Sequence, residues 1–563
     1  MANHLTITCN VILMNNSTTP TWLSRISALL LLVIMTLPTV SLGQLAEINW
    51  GAEIASKNQV LKVIGHTLTG HYALTYKRKK FYIDYYDGPQ SELRTSHELE
   101  FPLMNGLESE LGNIFYLDGK LVMFTAVQDK RNRAWDFYGY FLDKEGRIQS
   151  EAKHILHTPY QKRTLSGDFD FTLSGDQSKV LIWHSSKQKN GEKQWVVNMK
   201  LIGSDLSVIK EFSERINLKE AGDRVSISDF YVEQGGGVYL ATQQHRLVDG
   251  IWITTEFHIY QYEPSNGFQR REINIDLGDL RATSIVLTSD AEGHVSGSGF
   301  YSQWSRGGIV GYEGIAGTYF IRIDKFTGEV LTQTTAEFGK EFAGTILKEK
   351  KAEQGKLVPN RFYPKEIIPR ADGGAIMLAE MYWAVDNQAI GVATVDHYYG
   401  PIIISNVNPD GTIEWVKSIP KLQNSTELQI DLGVLLLGTE LNFGFSYWIR
   451  VSKDPTVYHS YVVGMEEDQI YLLFNDNPKN LDTQHYRDTK PLIGQIGVVP
   501  VVIEIRPDGS MIKENFDRDK EQVVLRPGVT HQVGYGEVII YGSKRKTDKF
   551  GIAFFGETVF ARE

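Results

Sequence analysis

The segment Gly167-Asp168-Phe169-Asp170-Phe171 sets two carboxylates on either side of one aromatic ring. In an extended strand residues i and i+2 share a face, so both acids project to the same side. Carboxylates placed this way can act as general acid and base, and their separation decides the course of glycoside cleavage. They can equally cap nearby backbone amides. Two histidines also have acidic neighbours: His397 follows Asp396, and His485 lies between Asp482 and Asp488. Neither belongs to a His-x-x-x-His pair or any other spacing that fixes metal geometry, so no metal is assigned. Both read first as ordinary surface histidines.

Trp304, Tyr382, Trp383, Tyr398 and Tyr399 fall in segments that read as long loops. Exposed rings flanked by polar groups stack on sugar faces, because they present rigid amphipathic area at small entropic cost. With His397 and His485 they make up the candidate ligand-binding set. The competing role is structural, the rings filling a joint between two insertions. Trp135, Trp195 and Trp252 each stand just before an apolar run, a recurrence that packing explains better than ligand contact. The chain has no nucleophile elbow, phosphate-cradling loop or EF-hand spacing, and no cofactor is expected. Whether it is an enzyme stays open at this point.

The elements that must position these residues are hairpins. In Gly317–Leu331 an alternating run (Tyr319, Phe320, Ile321, Ile323) reaches the turn Asp324-Lys325-Phe326-Thr327-Gly328, and a second apolar run leaves it. The Gly supplies the positive φ that such turns need. Tight turns of a second kind recur between very apolar runs, as at Leu117-Asp118-Gly119-Lys120 and Ala371-Asp372-Gly373-Gly374. One hairpin of each kind makes four antiparallel strands, and four-stranded units in series describe an all-β propeller, which hides its sheet edges by radial repetition. The units fall near 61–95, 110–156, 167–212, 225–274, 282–338, 363–418, 460–516 and 524 to the end, with Leu45–Ile54 available as the last unit's fourth strand. Eight blades fit this count; seven is the alternative. Long segments collect between the second and third strands, which makes that face of the disc the binding face.

Residues 26–37, ISALLLLVIMTL, form an apolar run preceded by Arg25 and followed by Ser41-Leu42-Gly43. The run is shorter than the ~20 apolar residues a membrane span needs, and small residues close it, so 1–43 reads as a signal peptide. Residues 44–563 then form a single propeller domain, exported to the periplasm, outer surface or medium, with no membrane span. The leader takes one of the 58 cations and none of the 68 acids, together with the only cysteine, Cys9. The remainder is acidic and has no thiol for disulfides or metal, and an acidic chain is a poor partner for nucleic acid.

Ala371–Glu380 (ADGGAIMLAE) resembles the DGG-containing strands of secreted bacterial propeller repeats. Ile323–Leu331 and Asn408–Trp415 are similar to the Asp–Gly–Trp turns of quinoprotein propellers, and Asp170–Trp183 resembles the hairpins of TolB-type and WD-type propellers. As a whole the chain most resembles uncharacterised secreted propellers of Bacteroidetes-type bacteria. A quinoprotein would also carry a vicinal disulfide, which a cysteine-free chain lacks. A sialidase-like enzyme would carry S-x-D-x-G-x-T-W turns, of which Ser174-Gly175-Asp176 supplies only the beginning. The resemblance supports the fold and says little about activity; the chain itself reads as a binding or interaction module, its ligand a polysaccharide or an envelope protein. The alternative is a glycan hydrolase or lyase using carboxylates near the channel.

Overall fold

The computed structural model describes residues 45–556, apart from 56–58, 163–165, 189–193, 221, 249–250, 291, 304–313, 390–391, 432–447, 451–457, 494–496, 516–522, 535 and 545–546. The proposed leader therefore lies outside the described residues. The rest forms eight antiparallel sheets in chain order, spanning 59–98, 110–159, 168–217, 224–274, 280–337, 362–419, 462–515 and 524–555. Each is built on four strand positions in simple up-and-down order. In blades five and eight the first position is split, into Leu280–Ala282 with Val286–Ser289 and Val524–Leu525 with His531–Gly534. Blade eight takes its fourth strand from the other end of the chain: Ala46–Ala55 pairs with Thr547–Phe555, Ala46 opposite Phe555 and Ala55 opposite Thr547. This is the eight-bladed propeller that the hairpin count favours.

Packing explains why the second and third strands read as continuous apolar runs. They lie mid-sheet with a neighbouring blade on each side, so both faces are buried. Leu121–Val127 and Ile376–Ala379 are buried at every residue. Fourth strands have one covered face and alternate, as in Val208–Asn217. An apolar cluster fills every seam of the ring. The closing one sets Val60, Val63, Ala73 and Tyr86 of blade one against Val529, Ile539, Tyr541 and Phe550 of blade eight. Turns lock into neighbouring blades. At Gly411 (φ +85°) a Cβ would come 2.3 Å from Thr332 Cγ2 of blade five, so neither the dihedral nor the space admits a side chain. Trp415 Nε1 donates to the Pro507 carbonyl in the corresponding turn of blade seven (2.9 Å).

The long segments between second and third strands need correction. Most are strands that run on beyond the ring. Val238–Val248 and Ile251–Tyr262 continue as one ladder, as do Lys179–Gln188 with Gln194–Gly203 and Ala375–Ala389 with Val392–Val407. Polar residues on both faces, such as Gln243-Gln244-His245-Arg246, end the apolar alternation, but the backbone hydrogen bonds persist. Most of the blade-five segment, 304–313, lies outside the described residues; among those described, 477–491 of blade seven is largely irregular, with one-turn helices at Pro478–Asn480 and Tyr486–Asp488.

Candidate functional site

The blade-six hairpin is the longest of these extensions, at 15 and 16 residues. Its third strand changes partner part-way. Ile402–Val407 pairs with Ile413–Ile419 inside the blade, whereas Val392–Tyr399 pairs with Gln423–Asp431 outside it. The change falls at Gly400-Pro401, where proline has no N–H to give to a ladder. Opposite it the second strand slips register between Glu380 and Tyr382. A Cβ on Gly400 would sit 3.1 Å from Met381 Cβ, so the two strands cross there at close quarters.

Tyr382, Trp383, Tyr398 and Tyr399 therefore stand on strands and not in loops, and strand alternation separates them. Trp383 and Tyr398 form a cross-strand pair with parallel rings, 4.7 Å apart and 2° from coplanar. Trp383 packs against the blade five–six cluster beside Phe338, Phe342 and Tyr486. That pair fills the joint between insertions. Tyr382 and Tyr399 take the opposite face, towards blade seven, with rings 4.9 Å apart. The row continues to Tyr363 on the first strand of blade six (6.4 Å from Tyr382) and to His459 of blade seven (5.1 Å from Tyr399). Tyr363 is 55% exposed and opens the row to solvent.

His397 joins this face. Its Nδ1 is 3.0 Å from the Tyr382 hydroxyl, and its Nε2 lies 3.4 Å from Glu427 Oε2, an ion-pair distance. Below the aromatic row lies a buried polar network. Lys421, fully buried, donates to Glu380 Oε1 (2.5 Å) and Gln423 Oε1 (3.0 Å). The other Glu380 oxygen takes Lys365 Nζ (2.5 Å) and Ser460 Oγ (2.7 Å). Gln423 passes the network to the Asn475 carbonyl, and Asn475 Nδ2 to the Leu525 carbonyl of blade eight (both 2.8 Å). Burial works against the Glu380 charge, but Lys421 and Lys365 outweigh it and hold the carboxyl below its ordinary pKa. Burial also lowers Lys421, with Glu380 opposing. On the same strand as Lys365, burial pushes the Glu366 carboxyl up to about 7, offset in part by the Lys365 charge.

The other sequence candidates are elsewhere. Trp304 lies outside the described residues. His485 precedes the one-turn helix Tyr486–Asp488, whose Tyr486 packs on the Trp383 side, away from the tyrosine row. Asp168 and Asp170 are both exposed on the first strand of blade three. Asp170 Oδ1 accepts from the Phe171 amide (2.8 Å), and its charge supports Lys62 of blade one, which burial lowers to about 8. Phe169 between them packs on Trp135 (5.2 Å). Trp135 and Trp195 pack in seam clusters as their recurrence implies, and the Trp252 side chain is outside the described residues. Among the described residues no group of three or more His, Cys, Asp or Glu is arranged to hold a metal ion.

Tyr363, Lys365, Glu380, Lys421, Glu427 and His459 went unnoticed in the sequence. The one local signal is Glu380, an acid ending the otherwise apolar run Ala375–Ala379. The rest come from three stretches well separated in the chain: Phe362–Pro369, the run 421–427, and His459.

No family model matches the sequence, and no curated protein does. Among solved structures the chain is similar to the Dos1 propeller, at 10% identity over 90% of this chain and 96% of that one (TM-score 0.36). It is also similar to the WD40 domain of SCAP from fission yeast, at 10% identity over 91% and 98% (TM-score 0.32). A third is a polysaccharide lyase of family PL25, an ulvan lyase bound to -[GlcA(1-4)Rha3S]-, at 10% identity over 67% and 95% (TM-score 0.31). At these scores the assignment of the propeller rests on this chain's own eight sheets.

Proposed function

We propose that this protein is an exported binding propeller that engages a polysaccharide along the tyrosine row of blade six. The observation that carries the reading is the ring sequence Tyr363–Tyr382–Tyr399, running from the first strand of blade six onto one face of the extended hairpin and open to solvent at Tyr363. Lys365 lies over the Tyr399 ring (5.9 Å), adding a cation beside the rings. Rings give stacking area for pyranose faces, and a few polar groups beside them set orientation. A rigid sheet carries the row, so little ordering entropy opposes binding. Trp383 and Tyr398 support the row from behind and do not contact the ligand in this reading. Export rests on the apolar run at 26–37.

The test is calorimetric titration of residues 44–563 against a panel of neutral and acidic polysaccharides, with Tyr363→Ala as the variant. Loss of one stacking ring is expected to weaken binding about tenfold, or ~1.4 kcal/mol, with an unchanged melting temperature. Unchanged affinity in Tyr363→Ala, or no binding across the panel, would discard the row as the site.

A further inference from the structure

Tyr382 and His397 Nδ1 are hydrogen-bonded, and His397 Nε2, buried and outside hydrogen-bond geometry, lies at ion-pair distance (3.4 Å) from Glu427 Oε2. Glu427, on Gln423–Asp431, is essentially buried, and His397 is 13% exposed at its side chain. A carboxylate facing Nε2 favours the tautomer with hydrogen on that nitrogen. Nδ1 is then the acceptor and the Tyr382 hydroxyl the donor, over 3.0 Å. A hydroxyl hydrogen-bonded to a base, with a carboxylate at ion-pair distance from that base's other nitrogen, is close to the arrangement that activates side-chain oxygens for catalysis, the carboxylate contact tightening when the site is filled. Here the oxygen is a phenol on the face proposed to hold a glycan.

We propose that the blade-six site cleaves uronate-containing polysaccharides by β-elimination, with Tyr382 as the acid–base residue and His397 and Glu427 as its positioning residues. The inference rests on the binding reading above and adds a reaction to it. Hydrolysis by paired carboxylates suits the site poorly. Glu380 already has one oxygen on Lys421 and the other on Lys365 and Ser460, and no second free carboxylate is placed opposite it among the described residues of the row. Elimination needs a base at a carbon acid and a cation at the carboxylate that acidifies it. Lys365 supplies the cation: two of its three N–H donors go to Glu380 and Ser460, and its side chain is 36% exposed.

The step balances without a co-reactant. The Tyr382 proton moves to His397 Nδ1, and Glu427 stabilises the imidazolium. The phenolate takes the hydrogen from C5 of the uronate, whose electron pair becomes the C4=C5 double bond. The C4–O bond breaks, and its electrons stay on the leaving oxygen. Tyr382 gives that oxygen the proton it took from C5, and His397 returns the first proton to the phenolate.

The experiment incubates residues 44–563 with alginate and with polygalacturonate, following the ultraviolet absorbance of the unsaturated uronate, alongside binding to the same polymers. Wild type should generate the absorbance. Tyr382→Phe, which keeps the ring in the row, should bind as before and turn over at least ~100-fold more slowly, the usual scale of an acid–base residue. Glu427→Gln should move the pH profile of turnover while leaving binding intact, which a purely structural role would not do. Binding of either polymer without absorbance, or full turnover by Tyr382→Phe, would overturn the reaction and leave the binding site standing. Binding confined to neutral polysaccharides would also overturn it. Absence of all polysaccharide binding would remove both.

Discussion

Lys421 is a fully buried cation whose salt partner, Glu380, is equally buried. Such a pair adds little net stability relative to apolar residues, but removing one member strands the other charge. Lys421→Met should therefore cost ~3–5 kcal/mol in denaturant unfolding, leaving Glu380 to Lys365 and Ser460 alone. The double variant Lys421→Met/Glu380→Leu should recover part of that loss. A single variant as stable as wild type would show that Lys365 suffices for Glu380. The pair also holds Lys365 in place, so a stability defect here predicts a binding defect in the tyrosine row above.

Among the elements, the strand Ala46–Ala55 covers the edge of Thr547–Phe555 and carries Ala46, Ile48 and Trp50 into the blade seven–eight cluster. Deleting residues 45–55 should lower stability by about 3–5 kcal/mol through lost apolar burial and expose an unpaired edge that recruits other chains. Thermal unfolding and light scattering would register both effects. A monomer with an unchanged melting temperature would show that the strand is dispensable. The blade-six hairpin shows the reverse relation between edge and partner. Its outer half leaves the blade but finds Gln423–Asp431 as a new neighbour, so the extension stays a sheet and holds its side chains in register.

For the whole molecule, the seam that closes the ring should be the acid-sensitive part. His66 Nδ1 and His531 Nε2 are 2.9 Å apart across it, and His71 packs between Tyr86 and Phe550. Burial, then the neighbouring histidine charges, lower His531 to about 4 and His71 to about 3. Unfolded histidines take up protons near pH 6.5, where the folded ones do not. Stability from these residues is therefore complete above that pH and lost as pH falls towards 4, on the order of 2–3 kcal/mol for each histidine. Asp84, Tyr541, Asp548 and Arg526 also line the seam. Melting temperatures at pH 7, 5.5 and 4 should fall steeply, and less steeply in His71→Gln. Parallel slopes in the two proteins would place the acid response elsewhere.

Repetition of the two hairpin types, with Gly at the turns and apolar runs between them, was enough to specify four-stranded units and to favour eight of them over seven. Local physics governs both features: positive φ at a turn and burial on both faces of a middle strand are written in consecutive residues. The same local reading misplaced the blade-six extension, because a strand with polar residues on both faces keeps its ladder after its apolar pattern stops. It grouped Trp383 and Tyr398 with Tyr382 and Tyr399, although alternation sends the pairs to opposite faces. Only the tertiary structure decided which face met blade seven, and only there did Lys365, Glu427 and His459 come within reach of the tyrosines. Those residues are separated by dozens of positions along the chain, and their meeting depends on how neighbouring blades close.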